Sequence, residues 1–272
     1  MPIAYIVDVE FLWGFQANVI GLSKTPPSFY YPPPTTFLGA LAEALAKHYR
    51  LGEKRGKELI PKISQNLLAI GVKPVNCFPI KYEDINRIIT LKLTANILYP
   101  SPKNLAGSFD APARGKTALI SLDNDPPMIR VFIVLKKDTV IFDKKHLELS
   151  EDVFWKIHRI GSKESRVSII DVRKIGKLQV KEKKGVTNYS FPLANGVSPM
   201  YSLEGLWEYE IYVKPYNLKS YLQITEYIVG KNTFPFMIPL KKTVLEEPKY
   251  YVVLEQNLVL YKAENEAIIG YV

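Results

Sequence analysis

Two hydrophobic periodicities alternate along this chain in an order that few folds accommodate. Residues 3–11, IAYIVDVEF, repeat at every second position through Ile3, Tyr5, Val7, Val9 and Phe11. Ala4 and Ile6 make the opposite face apolar too, which predicts a strand buried on both sides. After a Gly/Pro-punctuated loop the period changes to 3.6. Phe37, Leu38, Leu41, Leu45 and Tyr49 form the stripe of a helix over about 36–50, with Gly39, Ala42 and Ala46 as a thin face for close packing. A second helix is expected from Pro61, suited to a first helical position, to Ile70, with Gly71 as its stop. Strict alternation over 87–98 (RIITLKLTANIL) predicts a half-exposed strand. An irregular stretch, 99–116, and a short strand near 117–122 follow, then a central strand over 128–136. Ser150, with Glu151 and Asp152 behind it and Gly161 ahead, brackets a helix reading EDVFWKIHRI. Residues 166–173 form a further strand, and the chain from about 200 onward is β-rich. Strand, helices, strand, strand pair, helix, strand is an α+β, ferredoxin-like order. The expected organisation is therefore a 1–190 domain with an insertion near 75–127, and a 191–272 β-rich extension.

Charge narrows the function. The chain carries 36 Lys and Arg against 27 Asp and Glu, a formal +9, which suggests a polyanionic partner. The excess is local: residues 159–184 hold nine basic residues against Glu164, Asp171 and Glu182. Residues 201–272 instead carry seven Lys and nine Glu. A solvated lysine-rich face would explain the same charges without a ligand. A ferredoxin-like sheet edged with basic residues is a common scaffold for RNA.

Other classes fall away. No run approaches eighteen apolar residues, so no membrane span or membrane partner is expected. The opening MPIAYIVDVE lacks a basic signal-peptide region, and cytoplasmic residence is the expectation. Cys77 alone excludes an internal disulfide and a cysteine-based zinc site. His48, His146 and His158 are far apart and without metal-ligand spacing, so no metal is expected. No P-loop, GxGxxG or GxSxG is present, and no cofactor is expected. Metal-independent RNA cleavage needs only side chains such as Tyr, Lys and His beside a 2′-hydroxyl. Tyr31 (with Tyr30), Lys145 and His146 are the set that would supply it, though an exposed loop histidine accounts for His146 equally.

The stretch YYPPPTTFLGALAEAL (30–45) stiffens the chain with Pro32, Pro33 and Pro34 just before a helix. A helix starting at Thr35 or Thr36 would offer free amides and two hydroxyls to a phosphate. Close packing of Gly39 and Ala42 explains the same residues without RNA.

That stretch resembles the proline-led first helix of the CRISPR-associated Cas-five family. HRIGSKESRVSI (158–169) resembles the Gly-Ser-Lys-Glu-Ser segment of the same family as it occurs in type I-A systems. With the opening strand, the resemblance covers roughly residues 1–175. It implies a non-catalytic subunit of Cascade, the crRNA-guided complex of antiviral defence, with a palm like that of the repeat-associated RNA-binding proteins (RRM-like) and a β-hairpin thumb. Such a subunit holds the 5′ handle of the crRNA and caps the backbone of Cas-seven subunits. It also contacts the large Cas-eight subunit, and meets target DNA through the assembled complex. Many relatives of this fold carry a glycine-rich loop near the C-terminus, of which IVGKNTFPF is a poor approximation. In one other subtype, members cleave precursor RNA with Tyr, His and Lys, which keeps a processing endoribonuclease as the alternative. On this reading Arg87, Lys92, Lys103, Arg114 and Lys116 of the thumb touch RNA backbone or a neighbouring subunit. His158, Arg159, Lys163, Arg166, Arg173 and Lys174 would meet handle phosphates.

Overall fold

The computed structural model describes residues 2–17, 27–84, 92–94, 97–99, 114–176, 178–221, 232–255 and 257–272. Its centre is an antiparallel sheet of four strands: β1 (Ile3–Phe11), β2 (Leu67–Pro74), β3 (Met128–Leu135) and β4 (Val167–Ile175). They lie in the order β4-β1-β3-β2. Helices α1 (Pro34–His48) and α2 (Glu53–Asn66) connect β1 to β2, and a short helix α3 (Glu151–Trp155) lies between β3 and β4. The fold is thus α+β, made mostly of antiparallel sheets.

The period-2 pattern of β1 sorts its side chains into two cores. Tyr5, Val7, Val9 and Phe11 join the helices, together with Val131, Ile133 and Leu135 of β3. Ala4 and Ile6 face the other way with Phe132 and Val134, against Tyr189, Val259, Tyr261 and Ile268 of the C-terminal region. The inner strands are therefore covered on both faces, and only the edge strand β4 keeps Ser168 and Ile170 exposed. The inner strands offer bases no open face on which to stack, contrary to what an RNA-binding sheet would offer. C-terminal residues Tyr212, Phe236, Ile238 and Leu240 also enter the helix-side core, so both cores cross the expected boundary at 190. The stretch around Thr233–Leu240 contributes alternate residues to that core.

Several expected elements lie elsewhere. The second helix spans Glu53–Asn66 with Pro61 inside it, and the run LLAIGVKP that follows is a fully buried strand. Gly71 does not stop a helix. A Cβ there would lie 2.5 Å from the carbonyl oxygen of Ser190, whose amide and hydroxyl both bond to Val72. Close approach of two chains is what requires glycine at this point.

In the insertion, Cys77–Asp84 pairs with Arg114–Ser121 as an eight-residue ribbon. Residues 92–94 pair with 97–99, so the described part of the single strand expected over 87–98 lies in two short paired strands, and residues 87–91 and 95–96 lie outside the described residues. The third helix ends at Trp155, and Ile157 and Ile160 reach the core from irregular backbone rather than from a helix continuing to Gly161.

Candidate nucleic-acid interface

The segment after α3 folds back on the end of β1 through a dense set of bonds. The Ser162 amide donates to the Gln16 carbonyl at 3.0 Å, and the Gln16 amide donates to the Ser165 hydroxyl at 2.9 Å. The Trp13 indole donates to the Glu164 carbonyl at 2.9 Å, and the Ser162 hydroxyl to the Glu164 carboxylate at 2.8 Å. Gly161 has φ +117°, and a Cβ there would stand 2.8 Å from the Gln16 carbonyl oxygen. Only glycine fits this corner without strain. The turn is rigid for a reason visible in GSKES: two serines close it and one glycine lets it lie flat. Lys163 and Arg166 project from it, both exposed, and neither makes an ion pair with a described residue.

Beside the turn lies the C-terminal end of α1. Arg159 Nε donates to Glu43 at 2.9 Å, and Lys47 Nζ reaches the same carboxylate at 2.8 Å. Burial opposes ionisation of Glu43, but the bonds from Lys47 and Arg159 win and hold its carboxyl below the usual range. Two further contacts cross between helix and segment. Lys47 Nζ lies 3.4 Å from His158 Nε2, and Lys156 Nζ lies 3.0 Å from His48 Nδ1. Lys47 and Arg159 thus share the carboxylate of Glu43, while Lys156 meets His48. The helix C-terminus favours positive charge, which accounts for part of this gathering. Sequence reading reached His158 and Arg159 but missed Lys47, His48 and Lys156 as members. The only signal was a Lys-His pair closing α1 and a Lys-x-His in the facing segment.

The remaining expected ligands are differently placed. Arg173 is bound to Glu264 at 2.8 Å and to Asp171 at 3.2 Å; Lys174 is bound to Asp138 at 3.1 Å. These cations are already neutralised, and they are not gathered with Lys163 and Arg166 by any described contact. Thr35 is buried, and the amides of Thr36 and Phe37 both donate to the Pro33 carbonyl. The start of α1 is walled by buried Tyr31–Pro34, so the proline run is packed into the fold; Thr35 is closed to a phosphate, while Thr36 is half-buried. Arg87 and Lys103 lie outside the described residues. Lys92 and Arg114 are described in backbone only, on the paired strands. Lys116 is half-buried on the ribbon, opposite Tyr82.

The cleavage set does not come together. Tyr31 is fully buried in the helix-side core, and its hydroxyl has no hydrogen-bond partner among the described residues. Burial pushes that hydroxyl well above the ordinary tyrosine value. A side chain sealed there cannot touch RNA. Lys145 and His146 are exposed on a hairpin, Thr139–Phe142 with Lys145–Glu148. Among the described residues no His, Cys, Asp and Glu group could hold a metal, and no helix is long and apolar enough to cross a membrane.

No protein-family model matches the chain. The CRISPR-associated protein Cas5 2 of Saccharolobus solfataricus is 26% identical over 187 residues, which span 66% of this chain and 64% of that protein, slightly under two thirds of its length. A CRISPR protein from Archaeoglobus fulgidus, known from a crystal structure, is 45% identical. It superposes with a TM-score of 0.75 over 99% of this chain and 100% of that one. Together with the first helix and the GSKES turn, these likenesses give the family: the chain belongs to the CRISPR-associated Cas5 proteins.

Proposed function

We propose that this chain is the crRNA-binding subunit of a Cascade effector complex in antiviral defence, holding the 5′ handle without cutting it. The observation that carries the reading is the rigid 161–165 turn. It presents Lys163 and Arg166, neither ion-paired with a described residue, beside a helix end where cations outnumber carboxylates among the described residues. Fixed, solvent-facing cations of this kind are what phosphate contacts need. The sheet order β4-β1-β3-β2 is read as the ferredoxin-like palm, and the ribbon Cys77–Asp84 with Arg114–Ser121 as the base of a thumb. Because the inner strands are covered, the RNA would run along the α1 and turn surface rather than across the strands.

The partners in this reading are the crRNA handle, the Cas-seven backbone subunits, the large Cas-eight subunit, and target DNA through the complex. The system would be type I-A and the compartment the cytoplasm. Non-catalytic binding is favoured over precursor cleavage by the burial of Tyr31. The test is incubation of the pure protein with repeat RNA in EDTA. Bound, intact RNA is expected; cleavage that disappears in His146→Ala would replace this reading with the processing one.

A further inference from the structure

The contacts between α1 and the 156–158 segment are unusual in their chemistry. Lys156 spends a hydrogen bond on an imidazole rather than on a carboxylate, and Lys47, already paired with Glu43 at 2.8 Å, faces a second imidazole. An ammonium can only donate, so the facing ring nitrogen must offer a lone pair. At His48 that nitrogen is Nδ1, 3.0 Å from Lys156 Nζ. At His158 it is Nε2, 3.4 Å from Lys47 Nζ, while Nδ1 lies 3.4 Å from the Lys156 carbonyl and donates to it. In both contacts the ring nitrogen is the acceptor, and the pairing is crosswise: two adjacent helix residues meet two residues of the segment. The other groups facing them are few. The Tyr49 ring packs on His48 at 4.9 Å, the Glu43 carboxylate lies 3.9 Å from His158 Nε2, and Arg159 stands on the far side of Glu43.

We propose that Lys47, His48, Lys156 and His158 form a phosphodiester seat that takes up protons as RNA binds. It rests on the RNA-binding reading above and adds residues and a regulation to it. A phosphate entering the quartet offers Lys156 an anionic acceptor stronger than a neutral ring nitrogen, and offers Lys47 a second anion beside Glu43. As the lysines turn to it, the ring nitrogens lose their donors and a negative charge stands beside them. Each then binds a proton from solvent, His48 facing the phosphate and His158 the phosphate or Glu43. Histidine is the side chain whose charge changes near neutral pH, so the uptake falls in the physiological range. Binding would tighten as pH is lowered from 8 toward 6. Lysine–carboxylate pairs in the same place would give salt dependence but no such proton linkage.

Calorimetric titration of the whole protein with 5′-handle RNA tests this, in three buffers of different ionisation enthalpy at pH 7. The binding heat is expected to vary with buffer, with a slope of roughly half a proton or more taken up per RNA. In the double variant His48→Asn, His158→Gln the lysines keep an acceptor but no group titrates. There the slope should vanish, and affinity should lose its rise between pH 8 and pH 6. By pH 6 wild type should bind about tenfold more tightly than the variant, one decade for each unit by which binding raises one imidazole. Tight binding with buffer-independent heat, or the same slope in the double variant, overturns the proposal alone. Absence of RNA binding in every buffer overturns the RNA-binding reading and this one with it.

Discussion

The covered face of the central sheet and the turn after α3 both carry cations, and treat them in opposite ways. On the sheet, Arg130 of β3 donates Nε and Nη2 to the two oxygens of Asp8 on β1, at 2.5 and 2.7 Å. Its Nη1 reaches Glu266 at 2.7 Å. Lys73 of β2, opposite Arg130 in register, reaches the other oxygen of Glu266 at 2.7 Å, and Asn188 donates to Glu266 and Glu247 at 3.1 Å each. Every charge in this row is answered. On the turn, Lys163 and Arg166 are answered by nothing described. The first arrangement spends its carboxylates on closing the fold; the second leaves its cations for something outside it. A count of lysines and arginines cannot make that distinction, because it depends on which carboxylates the topology brings near.

The largest effect should come from breaking the closed row. Glu266→Ala leaves buried Lys73 with only Glu247 and half-buried Arg130 with only Asp8, and should cost about 3 kcal/mol in urea unfolding. RNA affinity per folded molecule should not change. A loss below about 1 kcal/mol would mean that water already reaches the row. The same contacts set a pH dependence. Burial opposes ionisation of Glu266, but the bonds from Lys73 and Arg130 prevail and lower its carboxyl value. A carboxyl lowered on folding stabilises the fold above its unfolded value, near 4.3, and that contribution is lost as pH falls toward the folded value. Stability measured downward from pH 6 should therefore fall below about pH 4.5, and fall less in Glu266→Gln.

Next in size is Gly161→Ala. A Cβ at φ +117° and 2.8 Å from a backbone oxygen must strain the turn or push it off Gln16. The cost should be about 1–3 kcal/mol of stability. Handle RNA should also bind more weakly, because Lys163 and Arg166 would no longer be fixed. Full retention of affinity in a folded Gly161→Ala would show that the two cations work without the turn.

Parts of this contrast were legible in the sequence. The alternation of β1 set its ends at residues 3 and 11, and the helical stripe placed α1 to within two residues. Strict alternation points to 87–98 as the strand after the helices, whereas Leu67–Pro74 takes that place. That run is buried on both faces, so it shows no alternation, and an apolar run read by period alone passes for a helix. Pro61 and Gly71 then gave false punctuation, since one sits inside α2 and the other serves contact with Ser190. At the site, Lys163 and Arg166 were legible because GSKES is a local turn. Lys47 was not, because its partner His158 is 111 residues away and neither looks unusual alone.

Charge reversal is not needed to separate the open cations from the paired ones; removing single side chains suffices. Lys163→Ala and Arg166→Ala should each flatten the slope of log affinity against log salt by about 0.7 on single-stranded handle RNA. Stability should be nearly unchanged, since neither side chain holds another residue in place. An unchanged slope in both would return the turn to an ordinary solvated surface.

The smallest effect is expected at β4, which lies between the two extremes. The basic run marks Arg173 and Lys174 as phosphate ligands, yet each is held by carboxylates, Arg173 by Glu264 and Asp171, Lys174 by Asp138. A phosphate would have to displace those partners, and the released carboxylates would then repel it. Exposed pairs of this kind contribute little to folding because water screens them. Arg173→Ala should therefore cost less than about 1 kcal/mol and leave the salt slope where it was. The informative comparison is with Glu264→Gln, which frees one side of Arg173 without removing it. If neutralisation is what keeps Arg173 from RNA, Glu264→Gln should steepen the salt slope, by at most about 0.7. If Arg173 simply lies off the path of the RNA, the slope will not move in either variant, and the basic run from 159 to 184 will have been two surfaces rather than one.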